Sequence, residues 1–239
     1  MIDTHAHLDA LDEDPADVVA RARDAGVTRI LTVGMAQAVE LADRFQDVYA
    51  IVGIHPHESA DGDIDEVRRL QAHPKVVAVG ETGLDWFRNY ATPEAQRSTF
   101  EAQLGLATEL GKPVVIHTRA ADDDTLAALA DFDGTVVLHC FSSPRMLPTA
   151  LERGWYVSFA GNATYKNAPE LRIAASQVPA DRILAETDCP YLAPQAVRGK
   201  RNEPAYVTYT LGVLARARGE DPAELGARID ANATACFRL

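Results

Sequence analysis

Seven histidines lie along the chain: His5, His7, His55, His57, His73, His117 and His139. All but His73 stand at or just past the end of a short apolar run, and so do Glu81 and Asp188. Imidazole and carboxylate form a nitrogen and oxygen donor set without thiolate, which suits Zn²⁺, Mn²⁺ or Mg²⁺. His5 and His7 are two apart, so in a strand both side chains leave on one side, with Cα atoms about 7 Å apart. Both can then reach one ion through ~2.0–2.1 Å bonds.

Glu81 follows Val76-Val77-Ala78-Val79-Gly80. A carboxylate ending a buried strand must be paired, protonated or on a metal. Arg88 and Arg119 are the alternative partners. His117 follows Pro113-Val114-Val115-Ile116, and His139 follows Val136-Val137-Leu138. Taken alone, either is better read as a hydrogen-bonded core histidine. Glu186 alternates to the same side as Asp188, so either could be the ligand; position past the strand end favours Asp188. His55 and His57 flank Pro56, which keeps the segment extended, and are expected to contact substrate. His73 is expected to be solvated and structural. Four histidines and two carboxylates exceed the needs of one tetrahedral ion. Two ions sharing a bridging carboxylate would use all six, and such a pair activates water and clamps a phosphoryl group or another hydrolysable centre.

These residues need a frame that brings distant positions together. Strands are expected near 2–5, 27–33, 48–54, 75–81, 113–117, 134–140, 155–159 and 182–187. Helices are expected near 14–25, 36–46, 63–72, 93–110, 121–131, 144–153, 168–178 and 203–218, with a last one over about 222–237. Run length separates the two types. Thr92-Pro93-Glu94 and Asp221-Pro222-Ala223-Glu224 mark helix starts, and Gly219 marks an end. Phe100, Leu104, Ala107 and Leu110 form an apolar stripe. Alternating strand–helix units of roughly 30 residues each predict an α/β fold, a single-domain (β/α)8 TIM barrel over 1–239 with a C-terminal helix. In a barrel the C-terminal strand ends form the active-site face, so the histidines and carboxylates converge there. The rival doubly wound sheet usually opens with a glycine-rich turn, and here the first strand ends in His5-Ala6-His7.

Composition narrows the class. The chain has 239 residues, 47% hydrophobic and 24% charged, which excludes disorder and collagen-like or coiled-coil sequence. Three cysteines, Cys140, Cys189 and Cys236, make no disulfide framework. No signal peptide and no apolar run long enough for a membrane span is visible, so a cytoplasmic protein with no membrane partner is expected. Monomer is the default. The net charge of −12 disfavours a protein that coats nucleic acid. It leaves room for a small site that holds phosphate, because two divalent ions would concentrate positive charge in one mouth.

Seven motifs in order carry a resemblance. They are Asp3-Thr4-His5-Ala6-His7-Leu8-Asp9, Gly53-Ile54-His55-Pro56-His57, Gly80-Glu81-Thr82-Gly83-Leu84-Asp85 and Pro113-Val114-Val115-Ile116-His117. The others are His139-Cys140-Phe141-Ser142, Glu186-Thr187-Asp188 followed by Pro190-Tyr191-Leu192, and Arg198-Gly199-Lys200-Arg201-Asn202-Glu203-Pro204. Almost from end to end the chain resembles the TatD-type metal-dependent deoxyribonucleases of the amidohydrolase-like barrel superfamily. The resemblance implies one metal on His5, His7, Glu81 and Asp188, and a second on Glu81, His117 and His139, with Glu81 bridging. It implies a Mg²⁺-, Mn²⁺- or Zn²⁺-dependent phosphodiesterase with 3′ exonuclease action on DNA, or apurinic-site cleavage, and a DNA-repair role. Two departures are Ser143, where the family usually has glycine, and a compact stretch Thr118–Asp122 after His117.

On this reading Asp188 is the candidate general base and DNA, as short single-stranded ends, is the substrate. Arg88, Arg119, Lys166 and the cluster Arg198, Lys200 and Arg201 are candidate phosphate contacts, the cluster foremost. Asp85 is expected to orient a metal ligand, and Asn202 to cap the following helix. The alternative is an amidohydrolase acting on a small-molecule lactone, amide or phosphoester. Many such sites bridge their metals with a carbamylated lysine, and here Glu81 holds that place.

Overall fold

Eight strands pair in parallel in the order of the sequence. A computed structural model describes residues 1–88 and 90–239. The strands are β1 Ile2–Ala6, β2 Arg29–Gly34, β3 Val48–Val52, β4 Val76–Asp85, β5 Val114–Arg119, β6 Val136–Leu138, β7 Tyr156–Phe159 and β8 Ile183–Ala185. Helices α1 Pro15–Asp24, α2 Ala36–Arg44, α3 Ile64–Leu70, α4 Pro93–Leu110, α5 Asp122–Ala128, α6 Leu147–Glu152 and α7 Pro169–Gln177 lie between them. Helices α8 Val207–Arg218 and α9 Pro222–Phe237 follow β8. Parallel strands covered by helices are buried on both faces, so they read as continuous apolar runs. β1 is buried throughout, as are Val136–Leu138 and Ile183–Ala185.

The fold is a nearly closed (β/α)8 barrel. β1 and β8 share no extended ladder, and their seam is stitched by single bonds. The His7 amide donates to the Cys189 carbonyl at 2.8 Å, and the Asp188 amide to the His5 carbonyl at 2.9 Å. Inside, the Thr4 hydroxyl donates to the Ala185 carbonyl at 3.1 Å and lies 3.2 Å from the Ser158 hydroxyl. Asp3 accepts from the Thr187 amide at 2.9 Å and the Thr187 hydroxyl at 2.5 Å.

The helix-end chemistry is as expected. Thr92 Oγ1 accepts from the Ala95 amide, with Pro93 at the first helical position. Asp221 caps α9 through the Ala223 and Glu224 amides. Gly219 closes α8 in the left-handed region. The α4 stripe differs at one end: Phe100, Leu104 and Ala107 are buried, while Leu110 is 37% exposed on the last turn. Two glutamines take the buried face instead. Gln103 Nε2 donates to Thr82 Oγ1 at 2.6 Å and to the Ile54 carbonyl at 3.0 Å, and its Oε1 accepts from the Ile54 amide. Gln96 accepts from the Asp85 amide at 2.9 Å. Both tie α4 to the strand ends that carry the chemistry.

Candidate active site

β4 runs four residues past Glu81, to Asp85. The apolar run stops at Glu81, but strand pairing with β5 continues through Leu84–Thr118 and Asp85–Arg119. Two glycines allow the close approach. A Cβ on Gly80 would stand 2.8 Å from the Val115 carbonyl oxygen, and one on Gly83 would stand 2.0 Å from that of His117. Both have positive φ, where glycine is unstrained. Glu81 therefore projects from mid-strand into the mouth of the barrel.

Its two oxygens face different histidines. Oε2 lies 3.2 Å from His5 Nε2 and 3.6 Å from His7 Nε2. Oε1 lies 2.8 Å from His117 Nδ1, 2.9 Å from His139 Nε2 and 3.5 Å from His55 Nε2. His7 Nε2 is also 3.5 Å from Asp188 Oδ1. Burial alone would raise the Glu81 carboxyl, but the facing imidazoles of His139, His55 and His117 hold it well below the usual carboxylate range. Burial likewise opposes ionisation of Asp188, and the His7 hydrogen bond together with the charges of His139, His5 and His7 outweighs it and lowers the carboxyl. His139 is raised well above the ordinary imidazole range because the charges of Glu81 and Glu186 overcome burial. His5, fully buried and beside His139, is lowered.

Among the described residues, three overlapping groups have ligand atoms within 4.8 Å of one another: His5, His7 and Glu81; His5, His139 and Asp188; and His55, Glu81 and His117. The residues fit divalent metal. The donors are nitrogen and oxygen, and His5 Nδ1 is buried with no hydrogen-bond partner among the described residues. His55, expected as a substrate contact, thus stands within metal-ligand reach.

Other side chains hold these in place. Asp85 Oδ2 lies 2.8 Å from His57 Nε2 and 3.2 Å from His117 Nε2. Its Oδ1 accepts from the Phe87 and Arg88 amides at 2.8 Å each. Glu186 Oε1 lies 3.0 Å from His139 Nδ1 and accepts from the Cys140 amide at 2.9 Å. Such outer carboxylates orient imidazole ligands. Of the pair left open by the sequence, Asp188 lines the mouth and Glu186 sits behind His139. Asp188 has φ 55 and Cys140 φ 44, strained conformations of the kind that cluster at functional sites.

The cavity above the cluster holds about 840 Å³ and is lined by His7, His55, His57, Glu81, His117, His139 and Asp188, with Arg88 and Arg119 among its walls. Arg198, Lys200 and Arg201 do not line it. Arg201 is engaged by Asp12 and donates to the Ala10 carbonyl. Arg198 stacks 4.3 Å over the Tyr165 ring. Arg201 and Arg198 thus have partners of their own, and of the candidate cations Arg88 and Arg119 line the cavity. Lys166 is exposed and lies outside the cavity. His73 is remote, 3.1 Å from Asp43. Asn202 donates to the Thr187 and Tyr191 carbonyls at 2.8 and 2.5 Å, so it braces the loop after β8. Ser143 donates to Asp122 and joins the loop after β6 to the first turn of α5.

A parallel barrel with histidines and carboxylates converging at its C-terminal mouth is the architecture of a metal-dependent hydrolase. The chain belongs to the TatD-related DNase family, whose model matches residues 2–238. It is 36% identical over 253 residues to YabD, a metal-dependent hydrolase of Bacillus subtilis, covering 100% of this chain and 99% of that one. It is 41% identical over 244 residues to the 3′-5′ ssDNA/RNA exonuclease TatD of Citrobacter rodentium, covering 95% and 93%. The structure of YjjV, a TatD homologue from Escherichia coli, superposes with a TM-score of 0.93 at 29% identity, covering 100% of this chain and 98% of that one. Among the described residues no helix is long and apolar enough to cross a membrane.

Proposed function

We propose that the chain is a two-metal nuclease that removes nucleotides from the 3′ end of single-stranded DNA, in a DNA-repair role. The carrying observation is that Glu81 turns one oxygen to His5 and His7 and the other to His117 and His139. That is the arrangement of a bridging carboxylate. On this reading His5, His7, Glu81 and Asp188 would hold one divalent ion and Glu81, His117 and His139 the other. His55 is a further imidazole within reach of the second.

When bound, two ions supply a water that is nucleophilic near neutral pH and neutralise charge on the phosphoryl oxygens. Asp188, ionised and at the cavity wall, accepts the proton of the attacking water. Arg88 and Arg119 hold the non-bridging oxygens and the phosphate next along the strand. The relative named as an ssDNA/RNA exonuclease supports the substrate class.

The test is release of label from 3′-labelled single-stranded DNA with Mn²⁺, Mg²⁺, Zn²⁺ or chelator, beside the Asp188→Asn protein. Metal-dependent release by the wild type alone is the expected result. Equal release by both proteins would mean a contaminating nuclease. Turnover of lactones or esters with no release from DNA would favour the small-molecule amidohydrolase instead.

A further inference from the structure

The rim of the mouth carries aromatic rings that the reading above does not use. Among the described residues, four large aromatics are clearly exposed: Phe87 at 60%, Tyr90 at 65%, Tyr191 at 57% and Tyr209 at 43%. Three of the four sit in the loops after β4 and β8, at the mouth. Burial is the ordinary fate of such rings, so their concentration there calls for an occupant.

The rings adjoin the cluster from two sides. Tyr90 lies edge-on to His57, with centroids 4.9 Å apart. Tyr191 lies edge-on to His7, with centroids 5.9 Å apart. Both tyrosines line the cavity. Strand order runs from β1 to β8 around the barrel, so loops after β4 and β8 stand on opposite walls. Glu81 and its histidines lie between them. Arginines accompany the first wall: Arg119 lies 3.9 Å over the Phe87 ring, and Arg88 lies 5.7 Å from the Phe87 centroid and 6.0 Å from that of Tyr90.

We propose that Tyr90 and Tyr191 are two stacking platforms for the bases on either side of the scissile phosphate. This rests on the nuclease reading. A phosphodiester in a strand is flanked by two nucleosides, and a site with a ring on each side of its metal cluster matches that plan. Stacking on aromatic rings is tolerant of sequence, because every base has a π-face. It also requires unpaired bases, so a paired duplex end cannot use both walls. The arginines among the rings add contacts to phosphate and to base faces. The platforms thus set the preference for single strands and leave the base identity open.

The experiment compares two 3′-labelled oligonucleotides, one of intact thymidines and one whose last two residues are abasic analogues, in Mn²⁺. The wild type should show a KM roughly tenfold lower for the intact strand. Tyr90→Ala and Tyr191→Ala should each narrow that gap, and the double variant should close it. Tyr90→Trp and Tyr191→Trp should restore it, which separates stacking from lost folding. A wild type that cleaves both strands with equal KM overturns the platforms while the nuclease reading stands. A wild type that cleaves neither strand overturns both.

Discussion

Asp3 accepts hydrogen bonds from both the amide and the hydroxyl of Thr187, at 2.9 and 2.5 Å, and so joins the first strand to the segment after the last. The same carboxyl group accepts from the His5 amide at 3.3 Å. Burial pushes Asp3 up to about 8, against these hydrogen bonds. The folded chain therefore keeps a proton that the unfolded chain releases near pH 4. Asp3's contribution to stability is full below about pH 4 and is lost as pH rises through about 8. Urea midpoints of chelator-treated protein should fall between pH 5 and pH 8. In Asp3→Asn, neutral at every pH, that fall should be smaller; equal slopes would reject the assignment.

Glu81 should govern both halves of the metal cluster. Elemental analysis of the wild type should give about two divalent ions per chain, and Glu81→Ala should lower the content of both. Hydrolysis should drop roughly a thousandfold. Full metal retention in the variant would end the bridging proposal.

Asp85 grips two imidazoles, and burial is outweighed by the His117 bond and the Arg88 amide, which hold its carboxyl well below the usual range. Asp85→Asn keeps the shape but removes that charge. Metal affinity, read by competition with a chromophoric chelator, should weaken by about 10- to 100-fold. Unchanged affinity would make Asp85 a structural brace of the loop alone.

Arg88 and Arg119 line the cavity, whereas Arg201 is held by Asp12. Arg88→Ala and Arg119→Ala should each raise KM for a single-stranded oligonucleotide roughly five- to tenfold. Each should also flatten the dependence of log affinity on log salt by about 0.7. Arg201→Ala should stay within about twofold. The opposite ranking would return the phosphate contact to the 198–201 segment.

The barrel and the convergence of histidines were legible because both rest on period and placement. Strand-sized apolar runs alternate with helix-sized segments, and His5, His117 and His139 close such runs. The full reach of β4 was not legible. Its last residues, Thr82-Gly83-Leu84-Asp85, lack an apolar pattern, and their pairing depends on glycines that admit β5. The Arg198–Arg201 cluster was legible as charge but not as packing: proximity in sequence shows where charges are but not that Asp12 engages one of them. The roles of Gln96 and Gln103 were hidden because a polar residue on a helix is ordinarily solvated, and only the packed fold shows them buried. The rim aromatics were also missed, although Phe87, Arg88 and Tyr90 in a segment without helical or strand period were a readable sign.

The seam between β1 and β8 has a consequence for how the molecule comes into being. His5 and His7 precede Asp188 by 183 and 181 positions, so synthesis delivers Asp188 well after them. The bonds from Asp188 to His5 and from His7 to Cys189 join them only when that late segment arrives. Contacts so distant along the chain form slowly and late. A chain cut short before β8 can gather some histidines, but it lacks Asp188 at the cavity wall. The full cluster of histidines and carboxylates is thereby assembled only when the barrel closes.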